Sequence, residues 1–275
     1  MFTRWLGISP NPSCLLLGPR RAGKTTLLKQ QFPDLKYTSL DDLDYLDWAN
    51  NDPKGFIREL GKSGIIDEIQ RVPRLTIAVK HAIDSYNAFI LMTGSSSLGL
   101  LDISAETLAG RINIQSLPTA CWGENLGLPT HSIFWERASY LQIREGNRLL
   151  HRAMTFGQFP EVLTCETEEG RQEVLTRYKN TYFTRDLMQL SNIENVEGLL
   201  AIFHHLVNSL GSHLEVSNFA REAGVSHVTA KKYLNSLAGA GLTFRMQGYQ
   251  YGPAKRFLKA AKTYFSDNGI IQGLK

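Results

Sequence analysis

Short apolar runs alternate with helical patterns over the first half of the chain. The runs that predict strands occupy residues 13–17, 35–40, 64–66, 88–92 and 112–117, and the first of them is expected to be buried. The helical patterns between them occupy residues 24–32, 41–50, 53–60 and 76–86. This alternation predicts an α/β fold, in which helices cover both faces of a mostly parallel sheet. Ligands of such sheets bind where the strands end, so we expect functional residues directly after the strands.

Beyond residue 130 the pattern becomes mainly helical. Apolar residues recur on one face of Ile133–Glu145 and of Gly170–Leu190. A third amphipathic stretch, Glu197–Leu210, is ended by Gly211. A helical segment is therefore predicted between the α/β half and the C-terminal third of the chain.

The C-terminal third contains a helix, a glycine turn and a second helix. Ser217 is the predicted N-cap of helix 218–223, Gly224 forms the turn, and Ser226 is the predicted N-cap of helix His227–Leu237. This order is typical of a helix-turn-helix. On its second helix we expect Val228, Leu234 and Leu237 to face the core. The residues expected to face solvent are Ser226, His227, Thr229, Ala230, Lys231 and Lys232.

Two strand-like runs, at 242–246 and 263–265, follow the second helix, and a basic connection with Lys255 and Arg256 joins them. Two strands after a helix-turn-helix predict a winged helix, which binds either DNA or another protein. The residues predicted to contact DNA are His227, Thr229, Lys231, Lys232, Lys255 and Arg256.

The first apolar run leads into the sequence GPRRAGKTT at residues 18–26. Its spacing, G-x-x-x-x-G-K-T between a strand and a helix, is that of a phosphate-binding P-loop. Gly18 and Gly23 let the backbone turn its amides toward phosphate, and the helix that starts near Lys24 directs its positive end there. Lys24 is predicted to contact the outer phosphates, and Thr25 to hold Mg²⁺. The other residues predicted to line the nucleotide are Pro19, Arg20, Arg21, Ala22 and Thr26.

Two adjacent carboxylates, Asp67 and Glu68, end the run at 64–66. Acids often end strands, but about forty residues after a P-loop they predict the second nucleotide motif. Asp67 would then hold Mg²⁺, and Glu68 would orient and deprotonate the attacking water.

Two further residues have both a functional and an ordinary interpretation. Ser95 follows the run at 88–92 and either senses the γ-phosphate or belongs to a simple Ser/Gly loop. Arg111 enters the run at 112–117 and is either a phosphate-sensing arginine or part of a surface salt bridge.

Composition limits the class of protein. The chain has 275 residues, of which 43% are apolar, enough for one large or two ordinary domains with a sizeable core. It has no apolar run of about 18 residues and no secretory pattern at its start, so we predict no membrane partner. Cys14, Cys121 and Cys165 are odd in number and too far apart for a disulfide framework or a zinc site. The cysteines therefore favour a reduced, cytoplasmic setting.

Charge is unevenly distributed along the chain. Residues 211–275 contain nine Lys and Arg against three acids, a net charge of +6, so residues 1–210 carry −2 of the total of +4. This asymmetry favours an anionic partner for the C-terminal part, and nucleic acid is the obvious candidate.

These motifs resemble one known family. They occur in the order 18–26, Ser39–Asp42, Ile66–Pro73, Leu91–Ser96 and Leu108–Ile112. The chain thus resembles the AAA-type prokaryotic ATPases that carry a C-terminal DUF4143 region, and Lys262–Gly269 extends the likeness toward the end of the chain. The P-loop is generic, whereas Ile66–Pro73 and Leu108–Ile112 are more particular to the family.

The resemblance implies a role for each matching residue. Lys24 and Thr25 contact phosphate and Mg²⁺, Asp67 holds the metal and Glu68 the water. Either Thr93 or Ser95 is implied as the sensor, and Gln70 and Arg111 become better functional candidates. Members of the family usually continue further, so we expect a truncated or minimal member.

Together these observations predict three domains: a P-loop ATPase domain at 1–130, a helical lid or linker at 131–195 and a winged helix-turn-helix at 196–275, the start of a DUF4143-like region. We expect Mg²⁺-dependent binding and hydrolysis of ATP, coupled to the winged helix and through it to DNA. The alternative is a nucleotide-gated switch for DNA or protein with negligible turnover. A homo-oligomer or protein partner could supply an arginine across an interface, and a small-molecule kinase is less favoured.

Overall fold

The computed structural model describes residues 3–95, 107–128, 139–181, 195–248 and 261–273. Contacts between residues divide the chain into two compact units, with the division between Ala120 and Cys121. The domain boundaries predicted from the sequence, 1–130, 131–195 and 196–275, remain predictions. In the described ranges no helix is both long and apolar enough to cross a bilayer.

The first unit is a parallel sheet covered by helices. Strands β1 to β5 comprise Ser13–Leu17, Lys36–Ser39, Ser63–Asp67, Phe89–Gly94 and Ile112–Ser116. Helices α1 to α4 comprise Lys24–Gln31, Leu43–Asn51, Pro53–Leu60 and Leu75–Tyr86. The strands pair in the order β2-β3-β4-β1-β5, and every pair is parallel. The predicted α/β fold is confirmed, and its element boundaries differ from the prediction by only a few residues.

Alternate side chains of the strands enter two apolar layers. Leu27 and Leu28 of α1 pack with Leu16, Ile65 and Leu91 on one face of the sheet. The neighbouring strand residues, among them Leu15, Ile66 and Met92, pack under α2, α3 and α4 on the other face. Strands β1, β3 and β4 are buried on both faces, which explains their continuous apolar runs. Strands β2 and β5 are partly exposed and carry polar residues.

Strand β4 lies between β1 and β3. Because all three run in the same direction, the loops that follow them emerge at one edge of the sheet. The P-loop follows β1, Glu68 follows β3, and Ser95 follows β4. A hydroxyl that follows β4, such as that of Ser95, therefore lies between the loop after β1 and the residue after β3.

The second unit is mainly helical. Its helices α5 to α12 comprise Trp122–Asn125, Tyr140–Phe156, Pro160–Thr164, Glu168–Tyr178, Val196–Asn208, Val216–Glu222, His227–Gly239 and Asn268–Gln272. Strands β6, Thr243–Met246, and β7, Lys262–Phe265, form an antiparallel pair. Helix α6 extends well beyond the predicted end at Glu145. Residues 133–138 and 182–190 of the two predicted helices lie outside the described residues.

One apolar core joins the helical segment to the helix-turn-helix. Phe156 of α6, Phe203 of α9 and Leu237 of α11 all belong to it. The buried carboxylate of Asp267 adds a polar link, because it accepts hydrogen bonds from the backbone amides of Gln158 at 2.8 Å and of Gly269 at 2.7 Å. Residues distant in sequence thus fold together in this unit.

The helix-turn-helix is present, with corrections to its details. Gly224 adopts a positive φ of 63° between α10 and α11, and the Ser226 hydroxyl caps α11 by accepting from the Thr229 amide at 3.0 Å. The predicted cap at Ser217 is wrong, because α10 already begins at Val216 with Glu215 at its N-cap.

The predicted facing of two residues on α11 is also wrong. Val228 is 76% exposed, whereas Ala230 is fully buried. Ala230, Leu234 and Leu237 recur at the spacing of one helical face, and Val228 lies two residues before Ala230, on the opposite side.

Gly18 packs directly against the segment that follows β5. A β-carbon at Gly18 would lie 2.1 Å from the carbonyl oxygen of Leu117, and the φ of Gly18 is +152°. The Leu117 amide donates to the carbonyl of Leu17 at 2.8 Å, so this backbone is held in place. Only glycine fits at the start of the loop.

We predict that Gly18→Ala lowers the free energy of unfolding by about 2–4 kcal/mol, because a fixed backbone carbonyl must move and the backbone is strained. Urea denaturation measures the change. Gly7→Ala is the matched control, since a β-carbon at Gly7 meets nothing within 4 Å. Equal stability of the two variants would contradict the packing.

Candidate active site

Lys24 begins helix α1 and turns its ammonium back into the loop. Its Nζ donates to the carbonyl oxygens of Gly18 at 2.9 Å and Pro19 at 3.0 Å, and the side chain is only 5% exposed. Burial lowers the pKa of Lys24 to about 8, although the negative charges of Glu68 and Asp67 act in the opposite direction. The cation is thus held inside the loop by two neutral carbonyls.

The loop backbone has the conformation that a phosphate cradle requires. Gly23 is left-handed, with φ 91°, and precedes the first residue of α1; Arg21 is also left-handed, with φ 61°. The first amides of a helix have no partner within it and carry partial positive charge. Ala22 is buried and its amide donates to the carbonyl of Pro19, whereas Arg21 and Thr26 are exposed.

Asp67, the last residue of β3, accepts hydrogen bonds from three hydroxyl groups. The Thr25 hydroxyl lies 2.9 Å from Oδ1 and 3.0 Å from Oδ2, so it spans the carboxylate. The Tyr37 hydroxyl donates to Oδ2 at 2.7 Å, and the Thr93 hydroxyl donates to Oδ1. The carboxylate is 7% exposed, and its orientation is defined on both sides.

Tyr37 remains a donor in this arrangement. Burial, together with the hydrogen bond to Asp67, raises the pKa of the Tyr37 hydroxyl well above its ordinary value. The phenol is therefore neutral at physiological pH, and its proton points at the carboxylate.

The oxygens of Thr25 and Asp67 suit Mg²⁺. Magnesium is a hard cation that prefers oxygen ligands and is usually held by one or two carboxylates. Here a carboxylate and a hydroxyl from the P-loop helix meet within hydrogen-bond distance, beside the buried Lys24. The residues present fit the metal predicted from the sequence.

Glu68 faces a different set of partners from its neighbour. Ser95 Oγ donates to Glu68 Oε2 at 3.1 Å, and the Gln70 amide donates to the same oxygen. Gln70 Nε2 also lies 3.0 Å from Ser95 Oγ, which closes a triangle of three side chains. Ser95 is 3% exposed, so the triangle is protected from solvent on that side.

Glu68 also differs from Asp67 in its backbone conformation. Glu68 is left-handed, with φ 59°, an uncommon conformation for a residue other than glycine. Its amide donates to Thr93 Oγ1 at 3.2 Å. Such strained residues cluster at functional sites.

Arg111 is not among these residues. It precedes β5 and therefore lies at the amino-terminal edge of the sheet, whereas the P-loop follows the carboxyl end of β1. Its Nε lies 2.6 Å from Asp84 Oδ1 in a half-exposed ion pair. Of the two interpretations given for Arg111, the structure has the surface salt bridge, and a phosphate contact within the same chain does not fit this position.

The predicted DNA-contacting residues are described only in part. His227, Lys231 and Lys232 are exposed on α11, and Thr229 is half-buried at its first turn. Lys255 and Arg256 lie outside the described residues.

Two residues of this region were not predicted from the sequence. Tyr37 contacts Asp67 from β2, and Arg4 donates to the P-loop carbonyl of Ala22 at 2.6 Å and to the carbonyl of Pro118 at 2.8 Å. Neither belongs to a motif. A possible signal for Tyr37 is its position two residues before the end of a strand whose neighbour carries Asp67.

Two family models match successive segments of the chain. Residues 10–126 match an AAA domain, and residues 147–275 match a domain of unknown function, DUF8612. The C-terminal match is thus not to DUF4143, and that part of the sequence resemblance stays a prediction.

Relatives occur in bacteria and archaea. The uncharacterized protein Rv2008c of Mycobacterium tuberculosis is 27% identical over 274 residues, which cover 96% of this chain and 56% of the relative. The uncharacterized protein MJ1544 of Methanocaldococcus jannaschii is 26% identical over 259 residues, which cover 88% of this chain and 58% of the relative. The chain therefore spans little more than half the length of these relatives.

A solved structure has the same fold. The Walker-type ATPase PABY2304 of Pyrococcus abyssi aligns with a TM-score of 0.56 at 13% identity, covering 96% of this chain and 91% of that one. At this identity the likeness concerns the fold, and it agrees with the α/β architecture predicted from the sequence. Residues 10–126 therefore match an AAA domain, and a region that matches a domain of unknown function follows.

Proposed function

We propose that the protein binds ATP with Mg²⁺, hydrolyses it, and couples this reaction to its C-terminal helix-turn-helix. The convergence of Lys24, Thr25, Asp67 and Glu68 at one edge of the sheet carries the proposal. The four residues would supply a cation for the phosphates, two oxygen ligands for Mg²⁺ and a carboxylate base. Phosphoryl transfer to water requires these three parts.

When the nucleotide binds, Lys24 replaces its hydrogen bonds to the loop carbonyls with hydrogen bonds to phosphate. Its ammonium gives up the carbonyls of Gly18 and Pro19 and donates to phosphate oxygens instead. The amides at the start of α1 bind the same phosphates, and their fixed orientation requires no reorganisation. Thr25 and Asp67 would hold Mg²⁺, which supplies positive charge against the phosphates.

Glu68 takes the proton of the attacking water. As the water oxygen bonds to the γ-phosphorus, the bond from phosphorus to the β–γ bridging oxygen breaks, and ADP leaves. Gln70 and Ser95 both donate to Oε2, so we assign proton acceptance to the other oxygen, Oε1. The two donors keep the carboxylate oriented while it acts.

We predict that Glu68→Gln reduces phosphate release by about 100-fold or more, because the amide cannot accept the proton. Binding of a fluorescent ATP analogue should remain, since Lys24 and the loop are unchanged. Glu59→Gln is the control, as Glu59 lies exposed on α3 and pairs with Lys36. Equal rates for wild type and Glu68→Gln would exclude Glu68 as the base.

Nucleic acid is the partner that we propose for the C-terminal region. The exposed face of α11, which follows the glycine turn, presents His227, Lys231 and Lys232. In a helix-turn-helix the second helix enters the major groove, and lysines beside it neutralise phosphates. The surplus of positive charge in residues 211–275 supports the same partner.

A nucleotide-gated switch for DNA or protein, with negligible turnover, is the alternative. Phosphate release with and without DNA, set beside DNA affinity with and without ATP, separates the two. Stimulated turnover supports the coupled ATPase. A change in DNA affinity with ATP but no turnover supports the switch. A mass measurement with ATP bound tests for a homo-oligomer.

We predict that the double variant Lys231→Ala/Lys232→Ala weakens DNA binding and reduces the slope of log K against log salt by about 2. Two phosphate contacts are removed, and each releases about one counterion. Fluorescence anisotropy at several salt concentrations gives the slope. Lys54→Ala/Lys62→Ala removes the same charge from exposed positions of the first unit and should leave the slope unchanged. A flat salt response of the wild type would favour a protein partner.

A further inference from the structure

Tyr37 lies in β2, outside both nucleotide motifs, and yet it contacts the carboxylate of Asp67. We propose that Tyr37 is a positioning residue for the metal: it orients Asp67 and aligns it with the helix that carries Thr25. This inference rests on the proposed Mg²⁺-dependent ATP binding.

The sheet register explains how Tyr37 reaches its partner. Strands β2 and β3 are parallel, with Ser39 opposite Asp67 and Tyr37 opposite Ile65. Side chains two residues apart share a face of a strand, so Tyr37 and Asp67 are diagonal neighbours. A tyrosine is long enough to span this diagonal, and its hydroxyl lies 2.7 Å from Oδ2.

A residue of helix α1 contacts the face of the Tyr37 ring. Lys29 Nζ lies 3.4 Å from the ring centroid, a cation–π contact. Lys29 follows Thr25 by four residues, about one helical turn, so both lie on the same side of α1. Tyr37 therefore contacts one metal-holding residue directly and the helix of the other through Lys29.

Each carboxylate oxygen of Asp67 accepts a hydrogen bond from a different hydroxyl, and a third hydroxyl lies near both oxygens. Thr93 donates to Oδ1 and Tyr37 to Oδ2, while Thr25 is within reach of both. Among the described residues, Thr25 is the hydroxyl donor left at Oδ2 without the phenol, and the carboxylate can turn toward Thr93. A hydrogen-bond partner that orients a ligand strongly affects metal affinity, typically by 10-fold to 100-fold.

The test is the Mg²⁺ dependence of nucleotide binding by Tyr37→Phe. We expect the Mg²⁺ concentration that half-saturates binding of a fluorescent ATP analogue to rise by about 10-fold. The kcat for phosphate release should recover at saturating Mg²⁺, because Lys24 and Glu68 are unchanged. A merely structural role would lower kcat without recovery.

Tyr86→Phe is the matched control. Tyr86 ends α4, which leads into the amino-terminal end of β4, at the edge of the sheet opposite the P-loop. It also loses a phenolic hydroxyl and should leave the Mg²⁺ dependence unchanged. Circular dichroism checks the fold of both variants.

The outcomes separate the role of Tyr37 from the proposed function. An unchanged Mg²⁺ dependence in Tyr37→Phe, or a loss of kcat that Mg²⁺ does not restore, overturns the role of Tyr37 and leaves the proposed function standing. A wild type whose nucleotide binding ignores Mg²⁺ overturns both. A shifted Mg²⁺ dependence of binding in a protein that does not hydrolyse ATP supports Tyr37 and overturns the proposed hydrolysis.

A second variant covers the case in which Tyr37→Phe does not fold. Lys29→Met keeps the length of the side chain and removes the cation above the ring. It should raise the half-saturating Mg²⁺ concentration in the same direction, by about 2-fold or more, because cation–π contacts at exposed sites are weak. No shift in this variant would then overturn the proposal.

Discussion

The buried negative charge of Asp67 is the constraint on which the first unit depends. A carboxylate taken out of water must be compensated, and here three hydroxyls and the nearby Lys24 provide the compensation. The three hydroxyls come from α1, β2 and β4. The Asp67 carboxylate is therefore compensated at the point where α1, β2 and β4 meet. The parallel order of the strands brings these elements together there.

The second unit uses polar groups differently. Its polar link, Asp267, binds backbone amides of two separate segments and so contributes to assembly of the core. The exposed face of α11 carries His227, Lys231 and Lys232 together with the apolar Val228. In the first unit the charged side chains of Lys24 and Asp67 are buried, whereas the basic side chains of α11 in the second unit are exposed.

Local motifs could be predicted from the sequence, whereas contacts between strands could not. The P-loop and the Asp67–Glu68 pair are contiguous, so spacing alone locates them. Tyr37 required the knowledge that β2 neighbours β3, which no local pattern contains. Arg111 could have been predicted better, because a residue that precedes a parallel strand lies at the edge away from the ligand. Val228 was assigned to the core because it is apolar, although helical spacing excludes it.

The hydroxyl of Thr93 takes part in two hydrogen bonds, as acceptor in one and as donor in the other. It accepts from the amide of Glu68 and donates to the carboxylate of Asp67, so the chain of hydrogen bonds has a fixed polarity. Hydrogen bonds in such a chain polarise one another. The charge on one carboxylate therefore strengthens the bond that fixes the backbone of the next residue. Asp67 and Glu68 are thereby connected through a single oxygen atom, Thr93 Oγ1, as well as by sequence.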